Sequence, residues 1–369
     1  MISIGMVMII TGSAMLGGCG SDSELGEVIA FVGNTESGEG GPANAEIWQG
    51  LTDYANETNR ELVTYVPESG SVRDAELAMK SAIDDGADVI VCSGTEMNYA
   101  VYEVQKIEKH TQFVLIDGVP AENKEGGDKR IRGNTCSIIF SREIAGFLAG
   151  YAAVKDGCRF LGFYGGSKDE DTVRYGSGFI QGANQAAGEL KLKKDEVVIQ
   201  YKYMTSNAIS PAQVSGIVSW FQEGCQVIAV AGGGAELVAE QGAVRANGKI
   251  ITDDMNAAAG ASIMAAAGIN YTNAARQALT MIDAGSISGG ESSELGVAEN
   301  CIYLNMEGST FNTFGQADYD DVLARIENGE ITVTSQDVTK LTPEDSESGK
   351  KKKTENTVQI NNVTIEERP

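Results

Sequence analysis

From residue 28 onward, short runs of apolar and β-branched residues alternate with stretches whose hydrophobic positions recur at helical spacing. The runs predict strands at 28–32, 62–66, 88–92, 113–116, 160–164, 197–201, 227–230, 249–252 and 262–265. Each is continuously apolar and closes on a glycine or a polar residue, the pattern of a parallel sheet buried on both faces. Helices fill the intervals, as over 72–85, where Ser71 can cap the first turn and Asp74 adds a favourable carboxylate there. Strands alternating with helices at this spacing predict an α/β fold of doubly wound, Rossmann-like units.

Two such units are implied by an internal echo. Gly86-Ala87-Asp88-Val89-Ile90-Val91-Cys92-Ser93-Gly94 is answered by Gly224-Cys225-Gln226-Val227-Ile228-Ala229-Val230-Ala231-Gly232, each a helix-ending glycine, a buried strand and a glycine at its carboxyl end. Ligands of open α/β sheets bind beyond the carboxyl ends of strands, so residues 93–95 and 232–234 are expected to face one cleft between two lobes. Hinge crossings are placed near 137–140 and 265–268. The first lobe then comprises 26–138 with 268–315, and the second 139–267. A terminal helix at 319–328 and a strand at 331–334 occupy 316–334, and 335–369, with Lys350 to Lys353, is expected to be a solvated polar tail.

The apolar leader 1–18 ends in Ser13-Ala14-Met15-Leu16-Gly17-Gly18-Cys19, the form of a bacterial lipobox, although no Lys or Arg precedes Arg60. Small residues before Cys19 suit a lipoprotein signal peptidase, so a lipid is expected on Cys19 and the chain on the extracytoplasmic face of the cell membrane. At 369 residues there is enough chain for two cores. Fifty-two acidic residues against 28 basic give a formal charge of -24, which excludes nucleic acid as the main partner. Cys92, Cys136, Cys158, Cys225 and Cys301 form an odd set without a CxxC and are expected to be small buried hydrophobes.

Catalytic apparatus is not visible. The single histidine, His110, falls at the end of a predicted helix over 99–109, and no HExxH, phosphate-binding P-loop or metal-spaced cysteine pair occurs. Gly38-Glu39-Gly40-Gly41-Pro42-Ala43 fits the dinucleotide pattern G-x-G-x-x-A after the first strand. Its approach is too long for a tight turn, and Glu39 sets a negative charge where a pyrophosphate would lie. A Rossmann-type enzyme is therefore the minor alternative, and neither a cofactor nor a metal is expected.

Asn134-Thr135-Cys136-Ser137-Ile138-Ile139-Phe140, then Glu143 and Gly146-Phe147-Leu148-Ala149-Gly150-Tyr151-Ala152-Ala153, resembles the entry strand and small-residue helix of the basic membrane protein family of substrate-binding lipoproteins. That family feeds ABC importers and includes purine nucleoside receptors. Phe163-Tyr164-Gly165-Gly166, Tyr175, Gly178-Phe179, Gly182 and Asp253 extend the resemblance across 28–333. It implies a type I periplasmic-binding-protein fold with hinge crossings, a small-molecule ligand such as a nucleoside or sugar, and an importer permease as partner. A ligand sensor for a membrane signalling partner is the alternative within the same architecture.

The resemblance also implies ligand-binding positions. Asn44, capping the first helix, and Trp48 match the family's Asn and aromatic; Tyr175 takes its stacking position; Asp117 and Asp253 are placed to accept hydrogen bonds from ligand hydroxyls. Departures accompany these matches. Where the family's nucleoside receptors show Asp-x-Ser-Phe-Asn, this chain has Gly40-Gly41-Pro42-Ala43-Asn44, the hinge stretch 265–270 lacks the usual lysine, and Met255 replaces a second Asp. Pentoses, other sugars and modified nucleosides thus stand beside purine nucleosides as expected ligands.

Overall fold

Two parallel sheets, each wrapped by helices, are joined by three crossings of the chain. The computed structural model describes residues 25–34, 41–123, 127–206, 208–257, 260–340 and 359–368. The leader with Cys19, residues 38–40 of the glycine pattern and Lys350 to Lys353 lie outside these residues.

The first sheet is built from β1 (Val28–Val32), β2 (Glu61–Tyr65), β3 (Val89–Ser93), β4 (Gln112–Ile116), β5 (Thr135–Phe140) and β11 (Ser292–Leu295), in the order β11-β5-β4-β3-β1-β2. Every pairing in it is parallel. The second contains β6 (Phe160–Gly165), β7 (Val198–Tyr203), β8 (Val227–Ala231), β9 (Ile250–Thr252), β10 (Ile263–Ile269), β12 (Ile302–Leu304) and β13 (Thr364–Glu367), in the order β12-β10-β9-β8-β6-β7-β13. Only the β10/β12 pair in it runs antiparallel. Strands β3 and β8 are fully buried along their length, which is why their sequences show no alternation.

Helices carry the lobes' outer layers and part of the cleft. Helix α1 (Gly41–Thr58) packs on α8 (Tyr271–Asp283) in the first lobe, while α4 (Arg142–Lys155) and α5 (Glu170–Glu189) pack together in the second. The last pair explains the small-residue signature. A Cβ at Gly146 or Gly150 would strike the carbonyls of Tyr175 and Phe179, and one at Gly178 or Gly182 those of Glu143 and Phe147. The two backbones approach too closely for side chains at those four positions. Phe147, Phe179 and Tyr151 fill the space beside the seam and are buried.

Departures from the expected organisation have local causes. Strand β5 stays in the first sheet through Phe140, at the end of the expected crossing 137–140, whereas β10 stays in the second through Ile269, one residue past 265–268. Strand β12 pairs with β10, which returns 302–304 to the second lobe. The crossings lie side by side: Ser141 N–H donates to the Leu295 carbonyl at 3.2 Å and Asn270 N–H to that of Cys301 at 2.9 Å. Residues 331–334 form no ladder, and residues 359–368 are not a free tail. Within them, β13 adds to the edge of β7 in parallel register, and Asn184 on α5 accepts from the backbone N–H groups of Asn361 and Asn362 at 3.0 and 2.8 Å. All five cysteines after Cys19 are buried free thiols, and burial pushes Cys158 up to about 11 and Cys225 up to about 12.

Candidate functional site

The echo in the sequence ends at the same place in each lobe. Gly94 follows β3 and Gly232 follows β8, both beside the point where strand order reverses, and both adopt left-handed backbone, φ 87° and 85°. A side chain there would meet steric cost, whereas glycine turns the chain without it. These turns open on a cleft of about 1250 Å³ that Ser93, Gly94 and Thr95 line from one lobe and Gly232 and Gly233 from the other. An adjoining recess of about 350 Å³ lies between α1, the start of α7 (Ala235–Ala246) and the segment after β9.

Four of the five expected binding residues stand on this cleft: Asn44, Asp117, Tyr175 and Asp253. Asn44 does not cap its helix, which already begins at Gly41; its carboxamide oxygen accepts from the Ser93 hydroxyl instead. Trp48 lines neither cavity and leans on Phe31 in the first lobe, with ring centroids 6.1 Å apart. It is partly buried and packs against the first-lobe core. Tyr175 borders the cleft with 2% of its surface exposed; its ring stacks on Phe163, and its hydroxyl donates to the Ala267 carbonyl at 3.2 Å. In this arrangement the ring is part of the cleft wall, not an open stacking platform. Burial, and then the neighbouring Asp253 carboxylate, hold its phenol far above the usual range.

Asp117 is the centre of a hinge cluster. It sits directly after β4 with φ 60°, and its N–H donates to the Ile138 carbonyl at 2.8 Å. The Arg142 guanidinium, from the first turn of α4 in the second lobe, donates to both carboxylate oxygens at 2.6 and 2.8 Å. Tyr271, at the start of α8, donates to the same carboxylate at 2.6 Å. Although burial opposes its charge, Arg142 is held charged by Asp117, with Tyr271 and Asp171 assisting. Neither partner was found from the sequence, because Arg142 follows a strand as an ordinary helix-start residue and Tyr271 lies 154 positions from Asp117.

A second cation crosses the cleft nearby. Arg174 on α5 pairs with Glu143 on α4 at 2.6 Å and also with Glu294 on β11 of the opposite lobe. Lys129 reaches Glu170 across the rim at 3.6 Å. Carboxyls are in excess elsewhere. Asp253 accepts the Gly232 N–H at 3.1 Å, which opposes but does not cancel the rise that burial imposes on its pKa. Burial pushes Glu236 up to about 7, with the Thr252 hydroxyl, donating at 2.9 Å, working the other way. Asn98, also on the wall, keeps a buried side-chain oxygen without a hydrogen-bond partner.

The serine of the site, Ser93, is tied to Asn44, and no group of three or more His, Cys, Asp or Glu side chains among the described residues is arranged to hold a metal ion. Residues 38–40 of the glycine pattern at 38–43 lie outside the described residues.

Two sheets, three crossings and a cleft at matching switch points define a two-lobed solute-binding fold. The same fold is found in ABC transporter solute-binding proteins from Aeropyrum pernix K1, with a TM-score of 0.61 at 17% identity, covering 84% of this chain and 93% of that one. A family model for PnrA-like ABC transporter substrate-binding proteins matches residues 35–337, and the chain belongs to that family. It is a family of binding proteins rather than enzymes. Among curated relatives, the CD4+ T-cell-stimulating antigen of Listeria innocua is 25% identical over 63% of this chain and 64% of its own length. The ABC transporter nucleoside-binding protein BmpA of Lactococcus lactis is 27% identical over 45% of this chain and 44% of its own. The chain thus spans less than two thirds of the length of the curated relatives it matches.

Proposed function

We propose that this protein is the lipid-anchored, extracytoplasmic receptor of an ABC importer, tethered through Cys19 and capturing a small polar, nucleoside-like ligand between its lobes. The observation that carries the reading is the shared cleft: Asn44 and Asp117 face it from the first lobe, Tyr175 and Asp253 from the second. A ligand hydrogen-bonded to both sides stabilises the closed arrangement, and the closed form is what an importer distinguishes from the empty one. The relative named as nucleoside-binding supports the ligand class. No helix among the described residues is long and apolar enough to cross a membrane.

Titration calorimetry with adenosine, inosine, guanosine, ribose and hexoses tests the ligand assignment. Binding of one class, weakened by both Asp117→Ala and Asp253→Ala, supports it; affinity unmoved by either variant removes the cleft from the site. Metabolic labelling with a fatty acid, present in the wild type and lost in Cys19→Ala, tests the anchor.

A further inference from the structure

We infer that the recess of the cleft selects ligands bearing a positive charge, such as a protonated amine or a charged ring, and that Glu46, Glu236, Asp253 and Asp254 are the residues that impose this preference. The inference rests on the cleft being the ligand site.

The recess of about 350 Å³ is lined by these four carboxyls together with Asn256, and its one cationic neighbour is Arg142. Arg142 is committed elsewhere, held by both oxygens of Asp117 and further by Asp171. None of the four carboxyls forms an ion pair with Lys or Arg among the described residues. The other two cations on the cleft, Arg174 and Lys129, are likewise paired with carboxylates. The hydrogen bonds made to Asp253, Glu236 and Asp254 come from uncharged donors, the Gly232 N–H, the Thr252 hydroxyl and the Asn256 N–H, so the recess holds carboxyls without a paired cation.

Such an arrangement costs free energy when empty, because carboxylates in a confined, partly dehydrated space repel one another and lose hydration. Burial raises the pKa of Glu46, Glu236 and Asp253 for this reason. A cation entering the recess relieves that cost, whereas an anionic ligand such as a phosphate ester increases it. Neutral polyols satisfy the acceptors but leave the charge uncompensated. A bare metal ion is not the fit, since these acids do not converge as a metal-holding group. They are spread over both lobes, Glu46 on α1 and the others on α7 and after β9, so an organic cation of several atoms is the complement, and its charge contributes to closing the lobes.

The test compares charged probes with neutral isosteres on the full-length folded protein by calorimetry: choline against dimethylbutanol, putrescine against butanediol, and ring-methylated, cationic adenosine against adenosine. The expected result is a cationic probe bound at least about tenfold tighter than its isostere, because an opposite charge at close range in a partly buried site is screened less than in water. Glu236→Gln and Asp254→Asn, which preserve shape, should each erode that preference and leave the neutral isostere unchanged. Circular dichroism and melting temperature confirm that the variants fold. Equal or tighter binding of the neutral partners, or no binding of any cation, overturns the charge inference. If adenosine binds equally well and Asp117→Ala abolishes it, the receptor reading stands while the charge inference falls; a bound probe indifferent to all cleft variants removes the receptor reading itself.

Discussion

Arg174 on α5 of the second lobe and Glu294 on β11 of the first are joined by an ion pair across the cleft. Glu143 holds the other side of the same guanidinium at 2.6 Å, and the side chains of Arg174 and Glu143 are 11% and 8% exposed. The two carboxylates therefore do different work. The buried one stabilises the charge on α5, and the exposed one, 43% accessible, connects the lobes.

Glu143→Ala should destabilise the protein by about 3 kcal/mol, because it strands a buried guanidinium with one exposed partner. Glu294→Ala should cost less than about 1 kcal/mol, as an exposed ion pair does. Urea unfolding midpoints separate the two. Small-angle scattering of the ligand-free protein should show a larger radius of gyration for Glu294→Ala alone, and an unchanged radius counts against its role as an interlobe contact.

Tyr271→Phe deletes one donor from the Asp117 carboxylate and leaves the pair with Arg142 intact. A stability loss of about 1.5 kcal/mol is expected, the usual worth of a hydrogen bond to a charged group. Arg142→Ala should be worse, since Asp117 then keeps its charge beside a hydroxyl only. Equal effects of the two substitutions would mean that Tyr271, not the guanidinium, anchors the hinge.

The carboxyl of Glu236 faces the Thr252 hydroxyl and the carboxylates of Asp253, Asp254 and Glu240, and burial is the main reason its pKa reaches about 7. Between the ordinary value of 4.5 and about 7, the folded state keeps a proton that the unfolded chain has released. Stability from this group consequently falls as pH rises through that window and stays low above it. Glu236→Gln should raise the melting temperature relative to wild type near neutral pH and above, with the advantage shrinking as pH falls toward the lower limit. An advantage that grows on acidification contradicts the assignment.

At the seam of α4 and α5, Gly150→Val places side-chain atoms where the Phe179 carbonyl already lies. The helices must separate, at a cost of about 2 kcal/mol or more, the range of overpacked cores. Gly216 on α6 (Pro211–Gln222) has no atom within reach of an added Cβ, and Gly216→Ala should be neutral or slightly stabilising. Thermal melts of the two variants provide the comparison.

Removing residues after 340 takes away β13 and leaves the edge of β7 unpaired. Unpaired edge strands recruit other chains, so the truncated protein should self-associate in light scattering where the full chain does not. A truncated chain that stays in the same state as the full one would make β13 dispensable to the edge.

Local sequence determined the units of this protein. Buried parallel strands must be continuously apolar, so β3 and β8 were legible as runs, and the glycines after them announced a turn that only glycine makes easily. Asn44, Asp117 and Asp253 were named by the family resemblance, and the fold sets them on the cleft because they stand at strand ends and a helix start. The small-residue helix carrying Gly146 and Gly150 was noted as a family resemblance, while its close approach to α5 came only from the fold. Tertiary structure decided everything that depends on two distant residues meeting. Trp48 turned inward because the core beside Phe31 lies on its side of α1, and the Tyr175 face was taken by Phe163. The polar segment carrying Val363 and Ile365 became a strand because an open edge and Asn184 awaited it, and no property of that segment alone contains the edge. Charge shows the same division: composition gave an acidic chain, but only the fold spent Arg142, Arg174 and Lys129 on particular carboxylates and left the four carboxyls of the recess without an ion pair. A side chain's local preference is written in its neighbours along the chain, whereas its partner is fixed by the packing of elements that can lie 154 positions away, as for Tyr271 and Asp117.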